Sequence, residues 1–101
     1  MRVLITGASS GIGRGIAFEF AGMGYDLVLA ARRTERLEEI KSKVNTNVTV
    51  ITVDLSKESE VRRLFAEAGK IDILINNAGF GVFGEFEKTD LDRELEMLRV
   101  N

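Results

Sequence analysis

The sequence predicts an α/β protein built on a doubly wound parallel sheet. Two observations lead to this fold class. Short apolar runs rich in β-branched residues alternate with longer amphipathic stretches, in the order β-α-β-α-β-α-β-α. The short runs are almost continuously apolar, which is typical of strands buried on both faces of a parallel sheet. Strands that alternate with helices of this length indicate right-handed crossover connections within one sheet.

The apolar runs define four expected strands, at Val3–Thr6, Asp26–Ala31, Val48–Val53 and Ile71–Ile75. Between them, apolar residues recur at spacings of three and four, which indicates one buried stripe on each intervening helix. The stripes comprise Ile12, Ile16, Phe20 and Met23, then Leu37, Ile40 and Val44, then Val61, Leu64, Phe65 and Ala68. A fourth helix is expected to begin at Thr89 or Asp90 and to carry Leu91, Leu95 and Leu98.

Length and composition exclude several kinds of function. The 101 residues suffice for one small domain, and 14 basic and 16 acidic residues give a net charge of −2. This balance predicts neither nucleic acid nor an anionic membrane as a partner. Because cysteine and histidine are absent, we expect no disulfide, thiolate nucleophile, imidazole base or metal site. No apolar run is long enough for a signal peptide or a membrane span, so we expect a soluble, cytoplasmic protein.

A glycine-rich loop follows the first strand and reads Thr6-Gly7-Ala8-Ser9-Ser10-Gly11-Ile12-Gly13. Such a turn at the start of a helix brings backbone N–H groups close to a phosphate, and the helix dipole favours the negative charge. Gly7 would permit the tight turn, Gly11 the close approach of a pyrophosphate, and Gly13 the close packing of helix on strand. A glycine-rich turn that binds no ligand is the alternative. The spacing does not fit a Walker loop.

The end of the second strand indicates which dinucleotide would bind. In dinucleotide-binding folds an acidic residue here holds the ribose of NAD, whereas an arginine accommodates the 2′-phosphate of NADP. In this sequence Ala31 is followed by Arg32 and Arg33, with no carboxylate at the strand end. Guanidinium groups bind phosphate through rigid donor forks, although two solvated charges at the start of a surface helix would give the same pattern. Together with the glycine loop, the pair favours NADP over NAD.

These segments resemble the short-chain dehydrogenase/reductase family. The glycine loop matches the family's T-G-x-x-x-G-x-G pattern, and Asn76-Asn77-Ala78-Gly79 matches its N-N-A-G segment. Arg32 resembles the basic residue of its classical, NADP-preferring members, and Met97 through Asn101 resembles the helix segment that ends in its catalytic asparagine. The resemblance implies a partial Rossmann-type sheet of four strands in the order 3-2-1-4 with about four helices. Residues 1–101 would form a single nucleotide-binding half-domain.

The resemblance also implies cofactor-binding roles for individual residues. Ser9, Ser10, Gly11 and Ile12 would line the phosphates, Arg32 and Arg33 would bind the 2′-phosphate, Asp54 and Leu55 would contact adenine, and Asn77, Ala78 and Gly79 would lie beside the ribose. Simpler roles are possible for some of them. Asp54 could cap the next turn, the Asn-Asn-Ala-Gly stretch could be a plain turn, and Arg14 is expected to be a solvated helix charge.

The sequence departs from the family pattern at the catalytic residues. The family's catalytic serine and its Tyr-x-x-x-Lys pair belong beyond residue 101, and the one tyrosine, Tyr25, is followed four residues later by Leu29. Tyr25 opens the second strand, on the wrong edge of the fold for hydride transfer. Asn101 is therefore the single residue of the family's catalytic set that the sequence contains. We expect the chain alone to be inactive.

Two functions remain open from the sequence. The first is the NADP(H)-binding portion of an oxidoreductase that transfers hydride between NADPH and a carbonyl or alcohol substrate. The second is a non-catalytic module that binds a nucleotide or self-assembles. Because Ile71–Ile75 would be an apolar edge strand guarded only by Asp72, we expect a homo-oligomer that pairs through this fourth strand.

Overall fold

A computed structural model describes residues 1–77 and the backbone of residues 98–100. Its elements, in chain order, are β1 (Arg2–Thr6), α1 (Gly11–Gly22), β2 (Asp26–Ala31), α2 (Thr34–Lys43), β3 (Val48–Thr52), α3 (Glu58–Ala68), β4 (Ile73–Asn76) and β5 (Leu98–Val100). The four expected strands and the first three expected helices are therefore present. None of the helices in this described part is long and apolar enough to cross a lipid bilayer.

The sheet is parallel throughout and has the strand order β3-β2-β1-β4-β5. The expected order 3-2-1-4 is confirmed. The chain moves outward from β1 to β2 and β3 and then returns to the other side of β1, where Ile5 is the register partner of Ile75. This reversal of direction is the topological switch point at which open α/β sheets bind their ligands.

The strand β5 corrects two sequence-based expectations. It runs parallel to β4 in a register that pairs Ile73 with Leu98 and Ile75 with Val100. The fourth strand is therefore not an exposed edge, and Leu98 lies in a strand instead of a helix. The physical reason is that the free N–H and C=O groups of an apolar strand edge are satisfied by a neighbouring strand. The rest of the expected fourth helix, with Leu91 and Leu95, lies outside the described residues.

The core has two layers, one on each face of the sheet, because successive side chains of a strand point to opposite faces. Leu4 of β1 packs on the face that α3 covers, in one cluster with Val61 and Leu64. Its neighbours Val3 and Ile5 pack on the other face, in one cluster with α1 and α2. All four apolar residues expected on α3 are buried. Burial of β1 on both faces explains its continuous apolar sequence.

The buried stripe of α1 differs from the expected one. Ile12 is 72% exposed and Met23 is 59% exposed, whereas the buried positions are Gly13 and Ala17. Ile16 is only partly buried against the core. Ala17 packs in the core cluster and Gly13 packs on the loop before the helix. This orientation leaves the two end residues of the expected stripe exposed, whereas Ile16 and Phe20 pack partly against the core. Ile12 is thereby left exposed in the first turn of the helix.

Candidate functional site

The described part of the chain forms a cleft of about 620 Å³ at the carboxyl ends of the strands. This volume is within the range of sites that bind cofactors and other small molecules. The cleft lies at the switch point between β1 and β4, where the glycine loop, the start of α2 and the ends of β3 and β4 meet. Its lining residues are Gly7, Ser9, Ser10, Ile12, Ala31, Arg32, Arg33, Arg36, Val53, Leu55 and Asn77.

The two outer glycines of the loop have separate structural tasks. Gly7 has a φ of 64°, in the left-handed region that glycine adopts without a steric penalty. A Cβ atom at Gly13 would overlap the carbonyl oxygen of Gly7 and approach Ala8 Cα to 2.9 Å. Glycine at 13 therefore lets the first turn of α1 pack directly on the loop. This is a contact of helix on turn, where the sequence suggested helix on strand.

Ser10 and Asn77 hold the loop in place. Ser10 is the N-cap of α1, and its Oγ accepts a hydrogen bond from Gly13 N at 3.0 Å and donates one to Gly7 O at 3.0 Å. Asn77, at the end of β4, donates from Nδ2 to Gly7 O at 3.0 Å and to Ser10 Oγ at 2.9 Å. Both side chains thus serve the architecture of the loop as well as lining the cleft. Their hydrogen bonds join the end of β4 to the end of β1.

Arginine side chains line one side of the cleft. Arg32 and Arg33 lie where the sequence places them, immediately after β2, and both are exposed. Arg36 lines the same cleft, and its Nη1 donates to Ser9 O at 3.3 Å. Within residues 1–77 none of these three guanidinium groups forms an ion pair with a carboxylate. The cleft therefore carries three guanidinium groups without a direct carboxylate partner in this part of the chain.

The arginines elsewhere in the described part of the chain have partners. Arg14 forms an ion pair with Glu39 at 2.6 Å and lies over the ring of Phe18. Arg63 forms ion pairs with Glu60 and Glu67. Arg14 keeps the exposure expected of a solvated helix charge, with 41% of its side chain accessible, and it also joins α1 to α2 through the surface ion pair. The contrast sets the arginines of the cleft apart from the other arginines on the helices.

Asp54 stands beside the cleft but is not among its lining residues, whereas Leu55 is. Its Oδ1 accepts hydrogen bonds from Ser56 Oγ at 2.7 Å and from Ser56 N at 3.1 Å. These two bonds hold the pKa of Asp54 below its ordinary value of 3.8, and the charges of Lys57 and Arg32 lower it further. One carboxylate oxygen therefore serves the local turn, which is the simpler of the two roles expected for this residue.

Two other loop residues leave room for a ligand. A Cβ atom at Gly11 would meet no atom within 4 Å, so the packing of the described residues does not require glycine there. The side chain of Ile12 lines the cleft and is 72% exposed. An exposed apolar side chain in the lining of a cleft fits a site that an elongated, partly apolar cofactor covers. The residues present therefore fit a dinucleotide.

Three candidate residues lie outside the described residues. They are Ala78, Gly79 and Asn101. Tyr25 is described, and it directly precedes β2 at the amino end of that strand, whereas the cleft lies at the carboxyl ends of the strands. Its ring lies 5.3 Å from that of Phe20. The expectation that Tyr25 is remote from the site is confirmed.

Sequence reasoning missed Arg36. The available signal was its spacing, because Arg33 is the N-cap of α2 and Arg36 is the third residue of the helix. Residues three apart are neighbours on a helix surface. Two arginines at this spacing immediately after Arg32 could have been interpreted as one cluster of cations.

The fold agrees with what comparison with known proteins shows. A family model described as short chain dehydrogenase matches residues 1–101. The chain belongs to the short-chain dehydrogenase family. An 11-beta-hydroxysteroid dehydrogenase of Pinus massoniana is 43% identical over 98% of this chain and 30% of its own length. Dehydrogenase/reductase SDR family member 7 of Mus musculus is 38% identical over 100% of this chain and 33% of its own length.

Solved structures of short-chain dehydrogenases share the architecture. An alcohol dehydrogenase from Thermococcus sibiricus, complexed with 5-hydroxy-NADP, superposes with a TM-score of 0.68 and 34% identity, over 73% of this chain and 35% of the other. The closed form of a serine dehydrogenase complexed with NADP+ superposes with a TM-score of 0.69 and 34% identity, over 76% of this chain and 33% of the other. The chain spans about a third of the length of the relatives it matches.

Proposed function

We propose that residues 1–101 are the NADP(H)-binding portion of a short-chain oxidoreductase. The observation that carries this proposal is the group of guanidiniums at the cleft, Arg32, Arg33 and Arg36, which form no ion pair within residues 1–77. Such a group has a strong electrostatic preference for an anion. The preference for NADP over NAD follows because the extra charge of NADP is the 2′-phosphate on its adenosine ribose.

The end of β2 supports the same choice of cofactor. The last residue of the strand is Ala31, which lines the cleft, and the next residue is Arg32. A carboxylate at this place would hold the ribose hydroxyls of NAD and repel a 2′-phosphate. Arginine offers a charged, bidentate donor to that phosphate. Two of the similar solved structures are complexes with 5-hydroxy-NADP and with NADP+.

The other cleft residues would bind the remaining parts of the dinucleotide. The loop from Gly7 to Gly13 would bind the pyrophosphate at the N-terminus of α1, where the helix dipole is positive. Ile12 would cover an apolar part of the cofactor. Leu55 and the free oxygen of Asp54 would contact adenine, and Asn77 with Ala78 and Gly79 would lie beside the ribose.

The bound cofactor would supply the hydride that passes between NADPH and a carbonyl or alcohol. Among this chain's own residues, Asn101 is proposed to belong to the catalytic set. A proton donor of the Tyr-x-x-x-Lys type is absent from the sequence, since residue 29, four after Tyr25, is leucine. We therefore propose that the chain alone binds cofactor without turnover. The relatives include hydroxysteroid, serine and alcohol dehydrogenases, so the proposal extends no further than a carbonyl or alcohol substrate.

A self-assembling module is the weaker candidate. Its motivation was an unpaired apolar edge at β4, and β5 pairs with that edge. Association into a homo-oligomer stays a prediction, but its route through the fourth strand is wrong. The cytoplasmic location likewise stays a prediction from the sequence.

Calorimetric titration of the chain with NADPH and, separately, with NADH tests the proposed function. We expect NADPH to bind more tightly than NADH. Equal affinity for the two would contradict the NADP preference. If neither bound to a chain that circular dichroism shows to be folded, the nucleotide-binding role itself would be wrong.

A further inference from the structure

Arg36 connects two elements that border the cleft. It lies in the first turn of α2, and its Nη1 donates to the carbonyl oxygen of Ser9 in the glycine loop at 3.3 Å. The two residues are separated by 27 positions in the sequence. The guanidinium therefore links the helix after β2 to the loop after β1, across the end of the cleft where Arg32 and Arg33 also lie.

The hydrogen bond to Ser9 uses only a small part of the hydrogen-bond donors of the Arg36 side chain. A guanidinium has five N–H donors in a planar fork, and one of its nitrogens contacts Ser9. Glu35 occupies the same turn but forms no ion pair with Arg36, and neither does any other carboxylate within residues 1–77. Donors on an exposed side chain that borders the cleft thus remain available to a ligand.

The position of Arg36 along the helix is electrostatically unfavourable without an anion. It is the third residue of α2, and the first turn of a helix carries the positive end of the dipole, where cations are disfavoured. Two further cations, Arg32 and Arg33, immediately precede this turn. A doubly charged phosphate bound between these groups would remove the mutual repulsion of the guanidiniums.

We infer that Arg36 is a specificity-determining residue for NADP, and this rests on the proposed function. One nitrogen of its guanidinium keeps the hydrogen bond to the Ser9 carbonyl, and the remaining N–H groups donate to the 2′-phosphate. The two contacts of one rigid group then couple the position of the glycine loop to the presence of that phosphate. Arg32 and Arg33 precede α2 and make no such link to the loop in the structure.

The test compares cofactor selectivity, expressed as the ratio of the dissociation constants for NADH and NADPH. In the Arg36→Gln variant we expect this ratio to fall about tenfold, as for the loss of a charge-assisted hydrogen bond, with NADH affinity changed less than about twofold. Lys41→Gln is the matched control, because it removes one positive charge from an exposed position of the same helix, away from the lining residues. The control should leave the ratio unchanged.

A smaller pair of ligands isolates the adenosine end of the site. Adenosine 2′,5′-bisphosphate and adenosine 5′-monophosphate differ by the 2′-phosphate, so their affinity ratio should fall in Arg36→Gln by a similar factor. Arg36→Lys retains the charge without the fork, and we expect a ratio between those of the wild type and Arg36→Gln. Arg36→Lys also serves as the deciding variant if Arg36→Gln does not fold.

The outcomes separate this inference from the proposed function. A wild-type chain that binds NADH as tightly as NADPH refutes the NADP preference, and the inference fails with it. A wild-type chain that prefers NADPH, together with variants that keep the wild-type ratio, refutes the role of Arg36 alone. The role of Arg36 in selectivity is also refuted if its variants lose affinity for NADPH and NADH equally. Equal losses would mean that Arg36 only stabilises the conformation of the glycine loop.

Discussion

Asn77 at the end of β4 donates from one amide nitrogen to two atoms of the glycine loop, Gly7 O at 3.0 Å and Ser10 Oγ at 2.9 Å. An amide nitrogen carries two N–H groups, so it can serve both acceptors. The same Ser10 Oγ caps α1 by accepting from Gly13 N. The loop is therefore held in its conformation by hydrogen bonds within the protein itself.

We expect Asn77→Asp to destabilise the fold by about 1–3 kcal/mol, because the carboxylate cannot donate to either acceptor and would repel the Gly7 carbonyl. The free energy of unfolding from urea titrations measures the effect. Asn45→Asp makes the same chemical change at an exposed position between α2 and β3. A loss no greater than that of the control would show that the Asn77 hydrogen bonds contribute nothing to stability.

Gly13→Ala should lower the free energy of unfolding by roughly 1–3 kcal/mol, since its Cβ would overlap Gly7 O and force α1 away from the loop. Gly15→Ala is the control on the same helix, because a Cβ there meets nothing within 4 Å. The control should stabilise the helix by up to about 1 kcal/mol, from the higher helix propensity of alanine. Thermal melts of the two variants should move in opposite directions, and a shift in the same direction would argue against the close contact.

Arg32→Ala should weaken NADPH binding by roughly 1–3 kcal/mol, the value of a charge-assisted hydrogen bond, while NADH affinity stays nearly constant. The physical reason is that the two cofactors differ by the 2′-phosphate, which Arg32 is proposed to bind. Isothermal titration with each cofactor measures the two changes. Equal losses for both cofactors would show that Arg32 does not contact this phosphate.

Acid should destabilise the turn after β3. The hydrogen bonds from Ser56 lower the pKa of Asp54 from 3.8, and those from Arg63 and from Asp54 N lower the pKa of Glu60 from 4.5. A depressed carboxyl pKa adds stability that is present above the unfolded-state value and is lost as the pH falls through the folded-state value. Unfolding measured between about pH 6 and pH 2 should therefore show declining stability below about pH 4.5.

The matched variant for this pH dependence is Ser56→Ala, which removes the stronger of the two bonds to Asp54 and leaves the charge in place. It should reduce the loss of stability on acidification. Ser42→Ala is a suitable control, since Ser42 Oγ contacts only a backbone carbonyl on α2. A pH profile for Ser56→Ala that coincides with those of the wild type and the control would rule out this source of acid sensitivity.

The sequence was sufficient to predict the features that depend on local pattern. Continuous apolar runs identified β1 to β4, and the glycine loop with Arg32 identified the end of the sheet where the cleft lies. The expected order of strands followed from the family resemblance and is confirmed. The strands and the loop were predictable because neighbouring residues determine them, whereas the strand order joins distant segments and needed the resemblance.

The features that the sequence did not predict depend on contacts between distant segments. The orientation of α1 that exposes Ile12 follows from the contact of Gly13 with the glycine loop and from the burial of Ala17 in the core. The link from Arg36 to Ser9 and the pairing of β5 with β4 each join segments far apart in the chain. Helical periodicity also placed Leu98 in a helix, whereas pairing with β4 makes it part of a strand.

The central position of β1 has a consequence for the order in which the sheet assembles. Its partner β2 follows within a few tens of residues, but β4 reaches it only after the chain has turned back, and Asn77 meets Gly7 across 70 residues of sequence. Closing so long a loop costs more chain entropy and slows the contact. The pairing of β1 with β2 can therefore form early. The hydrogen bonds from the Asn77 amide to the glycine loop form only when β4 docks. The proposed cofactor site is therefore complete only after β4 has joined this central part of the sheet.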